Sequence, residues 1–554
     1  MALLNNRLTR LLSSRTHPSS RSDSSRQPES VVVIGAGVAG LATAALLARD
    51  GKRVTVVDKQ PEVGGRAGTY SEGGFRWDTG PSWYLMPEAF DHFFELCGTT
   101  TDQEVELVDL SPAYRVYSDN GSAVDVETGI DEVATLFESL EEGGGARVRE
   151  YLNRATDAYN LALARFLYTT FSDPRGLAGA AVRRRLGTLA QLLTRSLDSY
   201  VSSQFRSRLA RQILSYPAVF LSSQPRHTPA LYSLMSHTDL VEGVRYPRGG
   251  FAAVVEAIAR QARDAGVDFL LGQEVTAILT AGGDREPTRA TGVQVLGPQG
   301  PQTLLADAVV SAADLHHTET ELLPPELRSY PEEYFARRDP GLGTVLLLLG
   351  VRGELPQLAH HTLLFSQDWD PDFRAVYSGP EPTRPLKASR SIYVSKTSAS
   401  DAAVSPAGHE NLFVLVPTPA EPGLGHGDAY RAEQSPQVKA IADAAIAQIA
   451  AWADIPDLPE RIVVCKTLGP ADFAERYHAW SGGSIGPAHT LGQSAFLRGS
   501  NRSARVDNLY YAGATTVPGV GVPMCLISAE NVLKRMHGDT TTAPLEPSAL
   551  HGRS

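Results

Sequence analysis

The sequence predicts an α/β fold: one domain built on a parallel sheet, with a discontinuous α+β domain inserted into it. Three observations point there. Residues 31–57 read as strand, glycine loop, helix and strand. Apolar strand-like runs recur far downstream, at Val275–Leu279 and Ala306–Asp314. Asn508–Met536 opens like a strand and closes like a helix, with no charged side chain from Leu509 through Ala529. At 554 residues the chain is also too long for one simple core.

The opening unit is the most explicit. Strand Val31–Ile34 leads through a glycine loop into helix Val38–Arg49, then a turn at Asp50-Gly51 and strand Val54–Val57. The loop carries Gly35, Gly37 and Gly40 at GxGxxG spacing. The first glycine permits the tight turn, the second lets a pyrophosphate approach the backbone, and the third lets helix and sheet pack closely. The helix start adds free N–H groups and a positive dipole end. Asp58 closes the second strand, where an acid binds ribose hydroxyls. This is a Rossmann-like dinucleotide site. Val31–Ala48 is eighteen residues without a charge. The three glycines make it a buried strand and helix rather than a membrane span, and no transmembrane helix is expected.

The next residues favour FAD over NAD. "EVGGRAGT" places Gly64, Gly65 and Arg66 just after the acid, a second glycine-backed basic contact for a pyrophosphate. "FRWDTGPSWY" follows, with Asp78, Gly80, Pro81 and the aromatic pair Trp83-Tyr84. In the late stretch, Asn508–Ala512 reads as a buried strand, and Pro523 suits the first turn of the helix after it. Lys534 and Arg535 fall in its last turn, with Gly538 as C-cap. Gly513, Gly519 and Gly521 leave bare backbone before that helix. Cys525 reads as a small packing residue.

Composition excludes several classes. A net charge of −11 argues against a nucleic-acid partner. Three scattered cysteines, Cys97, Cys465 and Cys525, suit a reducing, cytoplasmic setting without a disulfide framework. His316-His317 stand without further ligands at metal spacing. Residues 1–29 are Ser- and Arg-rich, with Asp23 and Glu29 as their only acids. They read as a disordered tail, although a transit peptide has a similar composition. Residues 539–554 read as a second disordered tail. Within Pro174–Arg211 eight arginines (175, 183, 184, 185, 195, 206, 208 and 211) face one acid, Asp198. That reversal on an acidic protein suits either a solvated helical face or a surface for anionic lipid.

With "GAGVAG", "DK…GGRAGT", "YPRGGF" at Tyr246–Phe251 and "NLYYAGATTVPGVGVPMCLISA", the chain resembles the bacterial-type phytoene desaturases. These are FAD-dependent carotenoid dehydrogenases of the flavin amine-oxidase and GDI-like superfamily. The resemblance runs from about Ser30 to Gly538. It implies an FAD-binding domain of residues 30–110, 236–312 and 456–538, and a membrane-facing substrate domain of 111–235 and 313–455. It implies FAD contacts from Gly35, Ala36, Gly37, Gly40, Asp58, Lys59, Gly65, Arg66, Gly80, Pro81, Val275, Gly513, Gly519, Gly521, Val522 and Pro523. Trp83, Tyr84, Tyr246 and Phe251 are the expected substrate lining. Two departures stand out: Asp58 sits where Glu is common, and the Trp83-Tyr84 pair is not general in the family.

The implied reaction is stepwise desaturation of phytoene toward lycopene. A C40 isoprenoid hydrocarbon is held in the bilayer by about 0.8 kcal/mol per CH2-sized group, so the enzyme is expected to work as a peripheral membrane protein. No second GxGxxG in a strand-to-helix setting offers an NAD(P) site, leaving a quinone or oxygen as the electron acceptor. For proton removal the sequence offers one candidate, Asp239, a type of residue that also serves as a cap or ion-pair partner. Rival readings are a desaturase or ketolase for a later carotenoid, an amine oxidase, and a non-catalytic GDI-like lipid-binding protein. An amine oxidase would need an aromatic cage, which the sequence does not reveal.

Overall fold

The computed structural model describes residues 28–173, 186–283 and 286–551. Its first sheet has five strands, in the order Leu509–Tyr511, Ala308–Ser311, Ser30–Ile34, Arg53–Asp58 and Asp268–Leu271. Every pairing is parallel, with Val31 opposite both Val54 and Ala308. Val31–Ile34 are buried on both faces, each contributing roughly 1.5–3 kcal/mol of apolar burial. Helix Val38–Arg49 is buried from Val38 through Leu47, held between this sheet and helices Phe251–Asp264 and Val522–His537. The two ends of the chain therefore meet in one layer. The strand order reverses around Ser30–Ile34, which opens a crevice at the carboxyl ends of the strands.

The α/β expectation holds, with corrections of detail. Val275–Leu279 is a strand, as read, and packs against Val32, Ile34 and Val57 of the parallel sheet without pairing into it. It lies in strand Glu274–Gly283 of a three-stranded antiparallel sheet with Glu286–Gly297 and Gly300–Leu305. The parallel edge is filled instead by Asp268–Leu271, directly upstream. Strand Ile462–Leu468, assigned from the sequence to the FAD-binding domain, lies at the edge of the second domain's sheet, paired with Leu346–Val351.

That second sheet has seven strands; the one with the longest buried run, Leu342–Arg352, lies one in from the edge, with its first ten residues buried. One face packs against helix Pro436–Trp452. The other meets a helical layer drawn from residues 130–240 and forms a large aromatic core. Phe75 and Trp77, from the Thr69–Asp78 hairpin, insert into this core and tie the two domains together.

Residues 539–551, expected to be disordered, fold back onto helix Val522–His537. Buried Lys534 Nζ donates to the carbonyls of Tyr168, Thr541 and Ala543 at 2.7–2.9 Å. Leu545 N–H reaches Glu530 Oε1 at 2.7 Å. A buried ammonium needs acceptors, and the tail carbonyls provide two of them. In the Arg-rich stretch, Arg206 and Arg208 are exposed and Arg195 is half-buried, while Arg175 and Arg183–Arg185 lie outside the described residues. Among the described residues no helix is long and apolar enough to cross a membrane.

Candidate active site

The crevice is lined by backbone. A Cβ on Gly40 would sit 1.8 Å from the Gly35 carbonyl oxygen, so only glycine fits there. Gly37 begins helix Val38–Arg49 with no side-chain cap, leaving its first N–H groups to face a ligand. Gly64 and Gly65 press against Gly37 from the other side; a Cβ on Gly65 would lie 3.2 Å from the Gly37 Cα. The resulting trough is bare main chain at a helix N-terminus, which fits a pyrophosphate.

Asp58 holds this loop in shape. Its Oδ2 accepts from Ala36 N–H at 2.6 Å and its Oδ1 from Gln60 N–H at 2.7 Å. Burial raises its pKa, opposed by those two bonds. Val275 comes to the same end because Gln273 N–H bonds the Asp58 carbonyl at 2.9 Å. Lys59 is committed to protein: its Nζ donates to the Glu475 carbonyl and lies 3.0 Å from His478 Nε2. His478 also meets Glu274 at 2.9 Å and stacks on His317 at 3.8 Å. Burial pushes His317 down to about 3, so this ring is neutral. The adjacent His316 meets Glu332 at 3.2 Å. No group of side chains suited to a metal ion occurs among the described residues.

Further along the trough, Arg66 donates to Asp314 Oδ2 at 3.2 Å and the Ile485 carbonyl at 3.3 Å. Gly80 closes on it, since a Cβ there would lie 2.0 Å from the Arg66 carbonyl oxygen. Pro81 follows, half-buried. The other wall is the late loop. Gly513 N–H bonds Ser528 Oγ at 2.8 Å, and Gly521, at φ +113°, starts helix Val522–His537. Val522 is buried and Pro523 half-buried in that first turn, while Cys525 packs against the core beneath it.

Two residues that no motif revealed hold this loop. His489 Nε2 accepts from Val520 N–H at 3.2 Å, and a Cβ on Gly519 would strike its ring at 2.4 Å. Its Nδ1 lies 2.8 Å from Tyr232 Oη, and burial keeps the ring neutral. Buried Arg498 donates to the carbonyls of Ala514, Thr516 and Pro487 at 2.6–3.3 Å, with burial pushing it down to about 10. A lone His and a lone Arg carry no sequence signature for such bonds.

Of the four expected lining residues, two belong elsewhere. Phe251 and Tyr84 lie in the core of the first domain, with Tyr84 stacked on Phe90 at 4.2 Å. The "YPRGGF" motif builds a helix start. Buried Asp78, pushed up to about 6 by burial, accepts from Phe251 N–H at 2.8 Å, and a Cβ on Gly250 would collide with its carboxyl. Tyr246 lies in the second core and donates to Asp401 Oδ2 at 3.2 Å.

Trp83 stands at the centre of an aromatic cage that no motif revealed. Two residues beyond Pro81, its ring lies 4.9–6.3 Å from those of Tyr114, Tyr216, Phe220, His361 and Tyr393. These come from sheet strands and the helical layer, widely separated in sequence. Ser82 Oγ and His361 Nδ1 each lie 2.7 Å from Tyr393 Oη. Asp239 joins the cage on the helical side, with Oδ2 accepting from Tyr216 Oη at 3.0 Å and Tyr114 Oη at 3.3 Å.

Comparisons with known proteins agree with this architecture. The family model described as flavin-containing amine oxidoreductase matches residues 38–536. A carotenoid 3,4-desaturase of Haloarcula japonica is 39% identical over 512 residues, 92% of this chain and 98% of its own. A zeta-carotene-forming phytoene desaturase of Myxococcus xanthus is 32% identical over 513 residues, covering 92% and 94%. Among solved structures, an oxidoreductase from Methanosarcina mazei shares the fold at TM-score 0.56 and 16% identity, covering 91% of this chain and 100% of its own.

Proposed function

The chain belongs to the flavin-containing amine oxidoreductase family, in the branch that holds carotenoid desaturases, and on that premise we propose that it desaturates a C40 carotenoid, phytoene stepwise toward lycopene. FAD is its cofactor. The likeness to carotenoid desaturases along 92% of the chain carries the reading, because it spans both the cofactor trough and the substrate domain.

Bound FAD supplies a two-electron acceptor. The chain's own part is to bind, orient and exclude water. The Gly35–Gly40 loop and Gly64-Gly65 would present main chain to the pyrophosphate, with Asp58 toward the ribose. The start of helix Val522–His537 offers N–H groups and a positive dipole end, which would stabilise negative charge on a flavin bound there. Trp83 and its neighbours offer a buried aromatic surface suited to an extended hydrocarbon, with no ion pair among them. Exposed Leu491 and Phe496 (42% exposed), the latter 6.4 Å from the Phe171 ring, give an apolar edge in keeping with peripheral binding to lipid. A quinone or oxygen is the proposed acceptor of the electrons.

The relative at 39% identity, a carotenoid 3,4-desaturase, favours a second reading, desaturation of a later carotenoid. Expression in phytoene-accumulating cells decides between them. Lycopene or an earlier desaturation product supports the phytoene reading. Unchanged phytoene, together with a new product when lycopene is supplied, supports the later substrate. A folded, FAD-loaded protein that converts neither overturns both and leaves a lipid-binding role.

A further inference from the structure

We propose that Asp239 is the proton acceptor of the desaturation, its Oδ1 taking H+ from the carbon beside the one that gives up hydride. The inference rests on the desaturation reading above. Removing two hydrogens from a CH–CH pair sends hydride, with both electrons of its C–H bond, to the flavin. The neighbouring carbon releases H+, the electron pair of that C–H bond becomes the second bond of C=C, and the Asp239 carboxylate ends as the neutral acid. A hydrocarbon brings no acceptor of its own, and a closed aromatic cage excludes bulk water. The base must therefore be built into the wall.

Asp239 has the form such a base requires. It is buried on helix Met235–Leu240, at 2% exposure. Its Oδ2 is fixed by the Tyr114 and Tyr216 hydroxyls, which orient the carboxyl, while its Oδ1 has no partner. The rings of both tyrosines lie against Trp83, at 5.2 and 5.9 Å, so the carboxyl stands at the edge of the cage. Trp83 in turn follows directly on the Gly80–Pro81 wall of the trough.

Asp119 Oδ1 and Glu242 Oε2 are also buried without a partner, but their other oxygens meet Gln367 N–H and His237 rather than rings of the cage. Asp372 pairs with Arg384 at 2.6 Å and accepts from Ser366 and Ser391, and Asp401 accepts from Gly249, Ala403 and Tyr246. An acceptor left bare in an apolar wall is costly unless it serves a purpose.

Electrostatics support the geometry. Burial pushes Asp239 up to about 7, against the two tyrosine bonds that lower it. A base poised near the working pH is the most effective kind. On the same helix, His237 is engaged with Thr156 Oγ1 at 2.9 Å and Glu242 at 3.2 Å. On the packed helix Gly144–Ala162, Tyr159 faces His237 at 4.7 Å and donates to Glu88. The groups that act on Asp239 itself are the two tyrosines.

The test compares wild-type holoenzyme with Asp239→Asn and Tyr216→Phe on phosphatidylcholine vesicles carrying the carotenoid that wild type converts. Asn keeps the shape and an oxygen for the tyrosines but cannot take the proton. D239N should hold FAD and quench tryptophan fluorescence with carotenoid as wild type does, while product formation falls about 10²–10⁴-fold. Infrared difference spectra of a single turnover should show a protonated-carboxyl band in wild type and none in D239N. The wild-type rate should rise with pH through about 7. In Y216F that rise should move to higher pH, because a donor to the carboxylate is lost.

Desaturation by D239N within a few-fold of wild type, or a missing carboxyl band in a wild type that turns over, overturns the proposal. If D239N does not fold, an unmoved pH profile in Y216F does the same. A wild type that desaturates no carotenoid refutes the underlying function instead, and the proposal falls with it.

Discussion

Between Gly35 and Arg66 the site is made of main chain, whereas around Trp83 it is made of side chains, and the two regions meet at Gly80–Pro81. In the first, the chain selects a ligand by what is absent: no Cβ at Gly40, none at Gly80. In the second, six rings from distant segments close on one another, with an unpartnered carboxylate oxygen at their edge. The main-chain region holds a cofactor common to a large family. On the proposed function, the side-chain region would face the substrate, and specificity could differ there between relatives. If that division is right, substitutions in the two regions separate cofactor loading from turnover.

Gly40→Ala gives the largest effect. Its Cβ would have to occupy space 1.8 Å from the Gly35 carbonyl oxygen, and no flexible side chain is there to yield. Helix and loop must part, at a cost of about 1–3 kcal/mol or more, and the trough loses its shape. The purified variant should be colourless, with no flavin absorbance. A G40A protein that retains stoichiometric flavin would show that the loop is looser than its geometry indicates.

Trp83→Ala should act in the opposite sense. It removes the ring around which the cage is arranged, so conversion should fall at least tenfold while flavin content stays near wild type. The measurement is bound flavin per protein alongside product formed per bound flavin. Loss of flavin in W83A would mean that the cage also shapes the trough, and the division between the regions would fail.

The same contrast explains how far the sequence could be read. The trough was legible because its chemistry is local: glycine spacing, a following acid, and a strand turning into a helix all lie within Val31–Arg66. Helix Val38–Arg49 and the start of helix Val522–His537 appear where the glycine loop and Pro523 placed them. The cage was not legible, since Tyr114, Tyr216, His361 and Tyr393 meet only once the seven-stranded sheet pairs, and each alone looks like an ordinary core aromatic. Tyr84 and Phe251 misled for the opposite reason. Each adjoins a family motif, yet strand and helix geometry turn both into the first core. Val275–Leu279 was legible as a strand, but an apolar run does not say which sheet it will join.

His489 lies between these cases, a side chain that holds main chain in place, and it predicts the smallest of these effects. Its Nε2 accepts the Val520 N–H, and Gly519 rests on its ring. His489→Ala leaves that buried N–H unpaired, at about 1–3 kcal/mol, and should weaken flavin retention without abolishing it. The pH dependence separates this from simple loss of packing. Burial holds the folded pKa of His489 well below its ordinary 6.5. The unfolded chain therefore takes up a proton below pH 6.5 that the folded chain refuses, and the stability due to the neutral ring is lost as pH falls. His317, His360 and His361 shift in the same direction, so acid sensitivity persists in the variant. The stability gap between wild type and H489A, from urea unfolding at several pH values, is what isolates His489. It should be widest above pH 7 and narrow steadily toward pH 5; a gap independent of pH would mean that the ring is solvated and that the Gly513–Gly521 loop is held by Arg498 alone.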